Sequence, residues 1–420
     1  MRTSLLLIVC LLTCTVAMAQ QAKSPNAAPT PFLVVKGSPE KVEKDANDAA
    51  AKGYRMVAGW HWGTAHSAGT EMAVLHHGGI DEPYTYLALR KQGLPEMEKA
   101  LNQAAAEGFH LLPQGVIRVS DRPEGMVHLK TDDWVSKRTG GEPLVAFMEK
   151  TSRSAKTEYR VLGFRTVYQV KGEISGRLTD DDADAKLAAA ANAGYRVVQL
   201  LTRLPAPEEA KSLLQTLLSK DGPPRIPQEV IVIFEKETDA PADAAPRAAR
   251  YHLVIAIDPE KGTKRDRGVS ALNEALNASG SAGYHLLAIS RESYPVMAAI
   301  VERNASGSPA AAYAVLTPFW SDIAKNLTKA SPAGWALHPQ GAIDGPDICC
   351  PGHGYLWLVT ERTGSSSDTA EYLVINEIGS GLAKRLNQAE MDGYGLVNIG
   401  PIRDDPNFVI AVLRRPKPAH

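Results

Sequence analysis

Cysteine is nearly absent from this chain of 420 residues: there are four, and Cys10 and Cys14 fall in an N-terminal stretch with the features of a cleaved leader, leaving only the adjacent pair Cys349 and Cys350. A disulfide framework is thereby excluded, and stability has to come from packed cores. Net charge is lacking as well. Lys plus Arg number 46 against 47 Asp plus Glu, so no whole-chain field draws the protein to nucleic acid or to acidic lipid, and any charged partner is bound locally. Beyond the leader no apolar run approaches the roughly 20 residues of a membrane helix, which argues against a transmembrane segment in the mature chain. Catalytic signatures are missing too: there is no phosphate-cradling Gly loop ending in Lys-Ser or Lys-Thr, no zinc-protease helix and no serine elbow between glycines. A constellation assembled from distant segments leaves no such trace.

The leader itself reads Met1, Arg2, Thr3, an apolar run from Ser4 to Val16, then Ala17-Met18-Ala19. A positive start, a short hydrophobic segment and a small-residue cleavage site define a secretory signal over residues 1–19, so the mature chain is expected to be exported, periplasmic or extracellular. A lipid anchor on Cys14 is the alternative, but Leu11-Leu12-Thr13 ends in Thr where a small residue is needed, which favours free export. Residues 20–30 read as a disordered linker.

What is present, repeatedly, is a glycine followed by an aromatic ring: Gly53-Tyr54, Gly108-Phe109, Gly194-Tyr195, Gly283-Tyr284, Gly334-Trp335 and Gly393-Tyr394. Eleven residues before each Gly stands Val42, Met97, Ala183, Leu272, Ile323 or Leu382, and seven before it Ala46, Leu101, Leu187, Leu276, Leu327 or Leu386. Four before it come Ala49, Ala104, Ala190, Ser279, Ala330 and Ala389. These offsets trace one face of a helix, and the Gly falls where a helix ends in the left-handed conformation. There the following ring packs back over a small side chain.

After each ring comes a short apolar run of strand length, from "YRMVAGW" to "YGLVNIG"; upstream of each helix lies another, from "FLVVKG" to "YLVINE"; and a third closes each set, from "EMAVLHH" to "NFVIAVLRR". The expected fold is therefore α+β: six tandem strand-helix-strand-strand units, with mixed or mostly antiparallel sheets and helices packed on one face. The units span 31–80, 81–151, 152–237, 251–303, 304–363 and 364–416, with a linker over 238–250. A unit of roughly 50 to 60 residues is too small to be comfortable alone, so neighbours are expected to share cores or extend sheets. "LLPQGVI" from Leu111 matches "LHPQGAI" from Leu337, linking the second unit to the fifth and predicting two similar halves.

Leu101-Asn102, Leu276-Asn277, Leu386-Asn387, Phe234-Glu235-Lys236 and Arg414-Arg415-Pro416 carry a resemblance. The unit resembles a small bacterial domain family of unknown function, numbered 4177, whose copies run aromatic strand, helix with Leu-Asn, Gly-aromatic turn, strand, and a last strand ending in Glu-Lys or Arg-Pro. The resemblance covers most of residues 31–416 and implies a fold without a settled chemistry.

Two clusters are candidates for metal or redox chemistry. In the first unit His61, His66 and His76 fall around one hairpin, and neutral imidazole suits zinc or copper. His77 points away from His76, because neighbours on a strand face opposite sides. The bland alternative is a polar hairpin. In "ICCPGHG", Cys349 and Cys350 with His353, and His338 upstream, offer zinc ligands, a vicinal disulfide or a plain loop, but adjacent sulfurs lack the gap that lets both face one ion. Asn47, Asn102, Asn277 and Asn387, six residues before their glycines, either clamp a neighbouring loop through their amides or are merely tolerated at the helix rim, and the structural role is favoured because amides commonly bond backbone. The expected function is a non-catalytic binding or scaffold module, without a cofactor, that engages an envelope or extracellular component and no nucleic acid. The alternative is a metal-dependent or hydrolytic envelope enzyme with its site on one divergent unit.

Overall fold

The computed structural model describes residues 29–64, 67–78, 84–118, 143–152, 156–171, 173–178, 182–203, 225–239, 250–257, 267–290, 296–303, 310–317, 320–344, 356–362, 369–401 and 408–417. Residues 31–420 form one compact unit. The expected leader over 1–19, most of the expected linker over 20–30, and nearly all of 238–250 lie outside the described residues.

The fold is mixed α+β, with six α-helices and six small antiparallel sheets among the described residues. The first sheet holds β1 (Phe32–Gly37), β2 (Tyr54–Thr64) and β3 (Ser67–His77); the second β4 (Thr85–Lys91), β5 (His110–Arg118) and β6 (Leu144–Lys150). The third has four strands, β7 (Thr157–Lys171), β8 (Glu173–Leu178), β9 (Arg196–Arg203) and β10 (Arg225–Glu237). The fourth is β11 (Arg250–Ile257), β12 (His285–Ile289) and β13 (Val296–Arg303), and the fifth β14 (Ala312–Leu316), β15 (Ala336–Asp344) and β16 (Leu356–Arg362). The sixth is β17 (Ala370–Ile378), β18 (Gly395–Pro401) and β19 (Phe408–Pro416). In order, α1 (Pro39–Ala50), α2 (Leu94–Ala106), α3 (Ala183–Asn192), α4 (Arg267–Ser281), α5 (Ile323–Ala330) and α6 (Gly379–Met391) each link a sheet's opening strand, or the β7–β8 hairpin, to the next strand of that sheet. In every sheet the strand latest in sequence lies between the opening strand and the strand that follows the helix, antiparallel to both, and β8 extends the third sheet beyond β7.

The glycine stop signal works as the spacing requires. Gly53, Gly108, Gly194, Gly283, Gly334 and Gly393 have φ between 81° and 90°, a region that costs a residue with a Cβ appreciably. The ring residue's amide then donates to the carbonyl five residues back, as in Phe109 to Ala104, Tyr195 to Ala190 and Tyr394 to Ala389. At the start of α1, Ser38 accepts from the Lys41 amide and Pro39 occupies the first turn, where its missing N–H is no loss.

The middle strands explain why these runs are apolar without a break. In β3, Ala73 and Leu75 join the core under α1, while Met72 and Val74 join the core under α6. In β10, Val230, Val232 and Phe234 meet α3, and Ile231 and Ile233 meet α2. Strand alternation thus sends successive side chains to two different helices. The expectation of helices on one face gives way to a layered order: each sheet is covered by its own helix on one side and by the preceding helix on the other. A three-stranded sheet with one bare face would leave that middle strand half in water, so the neighbour's helix is required.

These shared cores run from α1 to the second sheet, α2 to the third, α3 to the fourth, α4 to the fifth and α5 to the sixth. The series closes, because α6 packs Leu382, Leu386 and Ala389 with Phe32, Trp60, Met72 and Val74 of the first sheet. The strands that follow the helices also neighbour one another in a closed cycle, β2 to β5, β9, β12, β15, β18 and back to β2. Each of these six carries an irregularity in its pairing. In β5 and β15 it spans the matching Pro-Gln-Gly, and a Cβ on Gly115 or Gly341 would sit 2.7 Å from the Phe147 carbonyl oxygen or 2.4 Å from that of Val359.

Candidate functional site

Six junctions, one between each helix and the following sheet, offer equivalent positions for comparison. The first strand of a sheet is an edge, and its outward N–H and C=O need partners. At the junction between the first and second sheets, the Asn47 side-chain oxygen accepts from Tyr86 N–H at 2.7 Å and its NH2 donates to the Tyr86 carbonyl at 3.0 Å. A primary amide matches a peptide group donor for acceptor, so Asn47 acts as one extra strand residue. Asn102 does the same for Tyr159, Asn277 for Tyr313, and Asn387 for Phe32. Glu43 and Glu98 extend the edge by accepting from Ala88 and Val161 N–H. At the fifth-to-sixth junction Thr328 accepts from Tyr372 N–H; at the third-to-fourth the equivalent residue is Ala188, and His252 pairs with Asp184.

The ring of that clamped residue closes the other side. Tyr86 accepts the Met56 amide through its hydroxyl at 2.8 Å, Tyr159 that of Leu111 at 2.7 Å, Tyr313 that of Leu286 at 2.6 Å and Tyr372 that of Leu337 at 3.3 Å. Tyr251 bonds the Val197 backbone and also donates to the Tyr195 carbonyl at 3.5 Å. Burial pushes the Tyr86, Tyr159 and Tyr313 hydroxyls far up and Tyr251 to about 12, so all stay protonated.

The closing junction, from the sixth sheet to the first, departs from this scheme at two positions. The clamped residue is Phe32, which has no hydroxyl to offer Leu396, the residue in the place of Met56 and Leu286. The residue after the helix-stop ring is Gly395, where the others carry Arg55, His110, Arg196, His285 and Ala336. Arg55 reaches across its junction to Glu149, and His285 reaches Glu361 at 3.1 Å, but at Gly395 a Cβ would find only the Arg414 carbonyl oxygen, 3.8 Å away. An open cleft of about 520 Å³ results. Phe32, Tyr394, Leu396, Val397 and Val57 form apolar walls; His76 and Glu390 supply the polar side. His76 Nε2 lies 2.9 and 3.0 Å from the two Glu390 carboxylate oxygens, and the His76 ring packs against Phe32 with centroids 4.8 Å apart. Val57, at the β2 irregularity, is 44% exposed, unusual for a large apolar residue here. Asn398 and Pro339 bound the far end, the Asn398 amide donating to the Pro339 carbonyl.

A second polar group lies between the fourth and fifth sheets. Glu361 accepts from Tyr313 at 3.3 Å and faces His285, and burial raises the Glu302 carboxyl above its usual range. His338 sits in the Pro-Gln-Gly irregularity with Nε2 3.0 Å from the Leu286 carbonyl and Nδ1 3.2 Å from the donating Gln340 amide. Only the neutral ring protonated on Nε2 satisfies both contacts. Burial depresses its pKa, opposed in part by the Glu361 charge.

Among the described residues of the proposed histidine site, His76 lies at the cleft, and its partner there is Glu390. His61 pairs with Glu71 at the far end of the hairpin while His76 pairs with Arg55, six residues along β2, or roughly 20 Å at the strand rise. The structure does not bring His61 and His76 together. His66, Cys349, Cys350 and His353 lie outside the described residues. Among the described residues no three His, Cys, Asp or Glu side chains converge as a metal-holding group. Phe32, Gly395 and Glu390 were not singled out from sequence. The signal for the first two was present, since Phe32 is the one non-Tyr ring opening a set and Gly395 the one residue after a ring that has no side chain.

Fold and site together define a mixed α+β protein, closed on itself through shared cores, with a cleft at its closing junction. No described helix is long and apolar enough to cross a membrane. Comparison with protein-family models, curated proteins and solved structures finds no match for this chain.

Proposed function

We propose that the protein is an exported, non-catalytic binding or scaffold module, built from six degenerate copies of the strand-helix-strand-strand unit that resembles family 4177, and that it engages an envelope or extracellular component at its closing junction. One observation carries this reading. At five junctions a tyrosine hydroxyl bonds the backbone on the other side, and the sixth, with Phe32 and Gly395 at the matching positions, lines a cleft of about 520 Å³. Binding sites on repeated frames arise where one copy diverges, because the remaining copies hold the geometry rigid. The leader over residues 1–19 supports export.

The test compares mature chain, residues 20–420, with its Gly395→Arg variant, in which the cleft is filled. Both are passed through envelope extract, washed and denatured, and the retained material is analysed by mass spectrometry. A component enriched on the first and missing from the second is expected, and identical profiles would overturn the reading. N-terminal sequencing of the exported form should begin at Gln20; a cytoplasmic chain still carrying Met1 would remove the export claim.

A further inference from the structure

We infer that the cleft at the closing junction takes a neutral, largely apolar small molecule carrying a hydroxyl group, and that this hydroxyl oxygen sits where a tyrosine oxygen sits at the other junctions. The inference rests on the binding reading above and adds the ligand's chemistry.

Three features point to it. The first is a donor without its usual acceptor residue. Met56, Leu111, Leu286 and Leu337 each give their amide proton to a tyrosine hydroxyl of the following sheet. Leu396 has the same register, paired with Leu413 just before the irregularity, and the ring across from it is Phe32. An oxygen supplied by a ligand completes the set. The second feature is the acceptor on the same cleft: Glu390 holds His76 through both oxygens and keeps lone pairs free for a further donor. A hydroxyl accepts from an amide and donates to a carboxylate, so one group answers both. A ligand carboxylate would instead meet the Glu390 charge. The third is the wall and the size. Val57, Leu396, Val397 and Tyr394 favour an apolar body, and about 520 Å³ lies inside the range of roughly 300 to 1,000 Å³ typical of small-molecule sites.

The probe is 4-ethylphenol, titrated calorimetrically into mature full chain, with ethylbenzene and 4-ethylbenzoate as comparators. Saturable one-to-one binding of 4-ethylphenol is expected, with each comparator at least about tenfold weaker, the size of one lost hydrogen bond. Phe32→Tyr puts the missing hydroxyl into the protein itself and should weaken 4-ethylphenol at least about tenfold without lowering the melting temperature. Gly395→Arg, which leaves Phe32 in place, should weaken it similarly and serves if the first variant misfolds. Absence of 4-ethylphenol binding, equal binding of the benzoate, or unchanged affinity in both variants overturns the inference. Such a failure alongside a component still retained from extract in a Gly395-dependent way would leave the binding reading standing and remove only the ligand class.

Discussion

The junction between the first and second sheets and the one between the sixth and first share their backbone scheme, but Tyr86, Arg55, Glu149 and Ala50 of the one are matched by Phe32, Gly395, His76 and Glu390 of the other. In the former, the Tyr86 hydroxyl, the Asn47 amide and the Arg55–Glu149 pair bridge the junction. In the latter, Asn387 makes the same clamp, but Phe32 and Gly395 leave a cleft and a His76–Glu390 pair at its side. The backbone contact is thus kept while the filling varies. Closure of the cycle depends on the clamp and the shared core; the proposed recognition depends on what is left out.

The largest expected effect comes from breaking the shared part. Asn47→Leu leaves the buried Tyr86 N–H and C=O without partners and should cost about 2–4 kcal/mol in urea unfolding, and Asn387→Leu should cost as much. A much smaller loss at Asn387 would mean that the closing junction contributes little to the fold. Next is Tyr86→Phe, which makes the first junction resemble the last. It strands the Met56 amide and should cost about 1–2 kcal/mol, whereas Phe32→Tyr should be neutral or stabilising by up to about 1 kcal/mol. If the two changes have the same sign, the equivalence of Met56 and Leu396 is wrong.

The third contrast is between the two Pro-Gln-Gly segments, where Leu112 and His338 hold matching positions. Burial holds the folded His338 below its ordinary 6.5, so the unfolded chain binds its proton first. Its contribution is therefore intact above about pH 6.5 and is lost as the pH falls from there towards the depressed folded value. The melting temperature of the wild type should drop more steeply between pH 7 and 5 than that of His338→Leu, and parallel profiles would rule His338 out as the cause. The smallest effect is Glu390→Gln. Its pair with His76 is about a third exposed, so the change should stay within roughly 0.5 kcal/mol in thermal unfolding. A loss several times larger would mark the pair as structural.

Much of this architecture was legible because the relevant signals are local. Val42, Ala46 and Ala49 lie on one face through helix geometry, and the Gly53-Tyr54 stop follows from the missing Cβ, so both can be read without knowing any neighbour. Asn102 was recognisable as a clamp because an amide at a helix rim has few other uses, although its target, the Tyr159 backbone 57 residues on, was not. The second covered face went unread for a plain reason: Met72 and Ala73 are adjacent apolar residues, and nothing in that adjacency says which helix each one meets. For the histidines, closeness in sequence at a hairpin does not fix which end of the ladder each occupies: His61 pairs with Glu71 and His76 with Arg55.

The sequence by itself determined the elements, their order and their stops, since periodicity, capping and left-handed glycines act over a turn or two of chain. Only the tertiary structure decided that the cores are shared forward, that the series returns to Phe32, and that Gly395, Leu396 and Glu390 end up around one cleft. Those are contacts between segments distant in sequence, from a separation of 39 for Asn47 and Tyr86 to 355 for Asn387 and Phe32, and they are fixed by which apolar faces remain uncovered once every local element has formed.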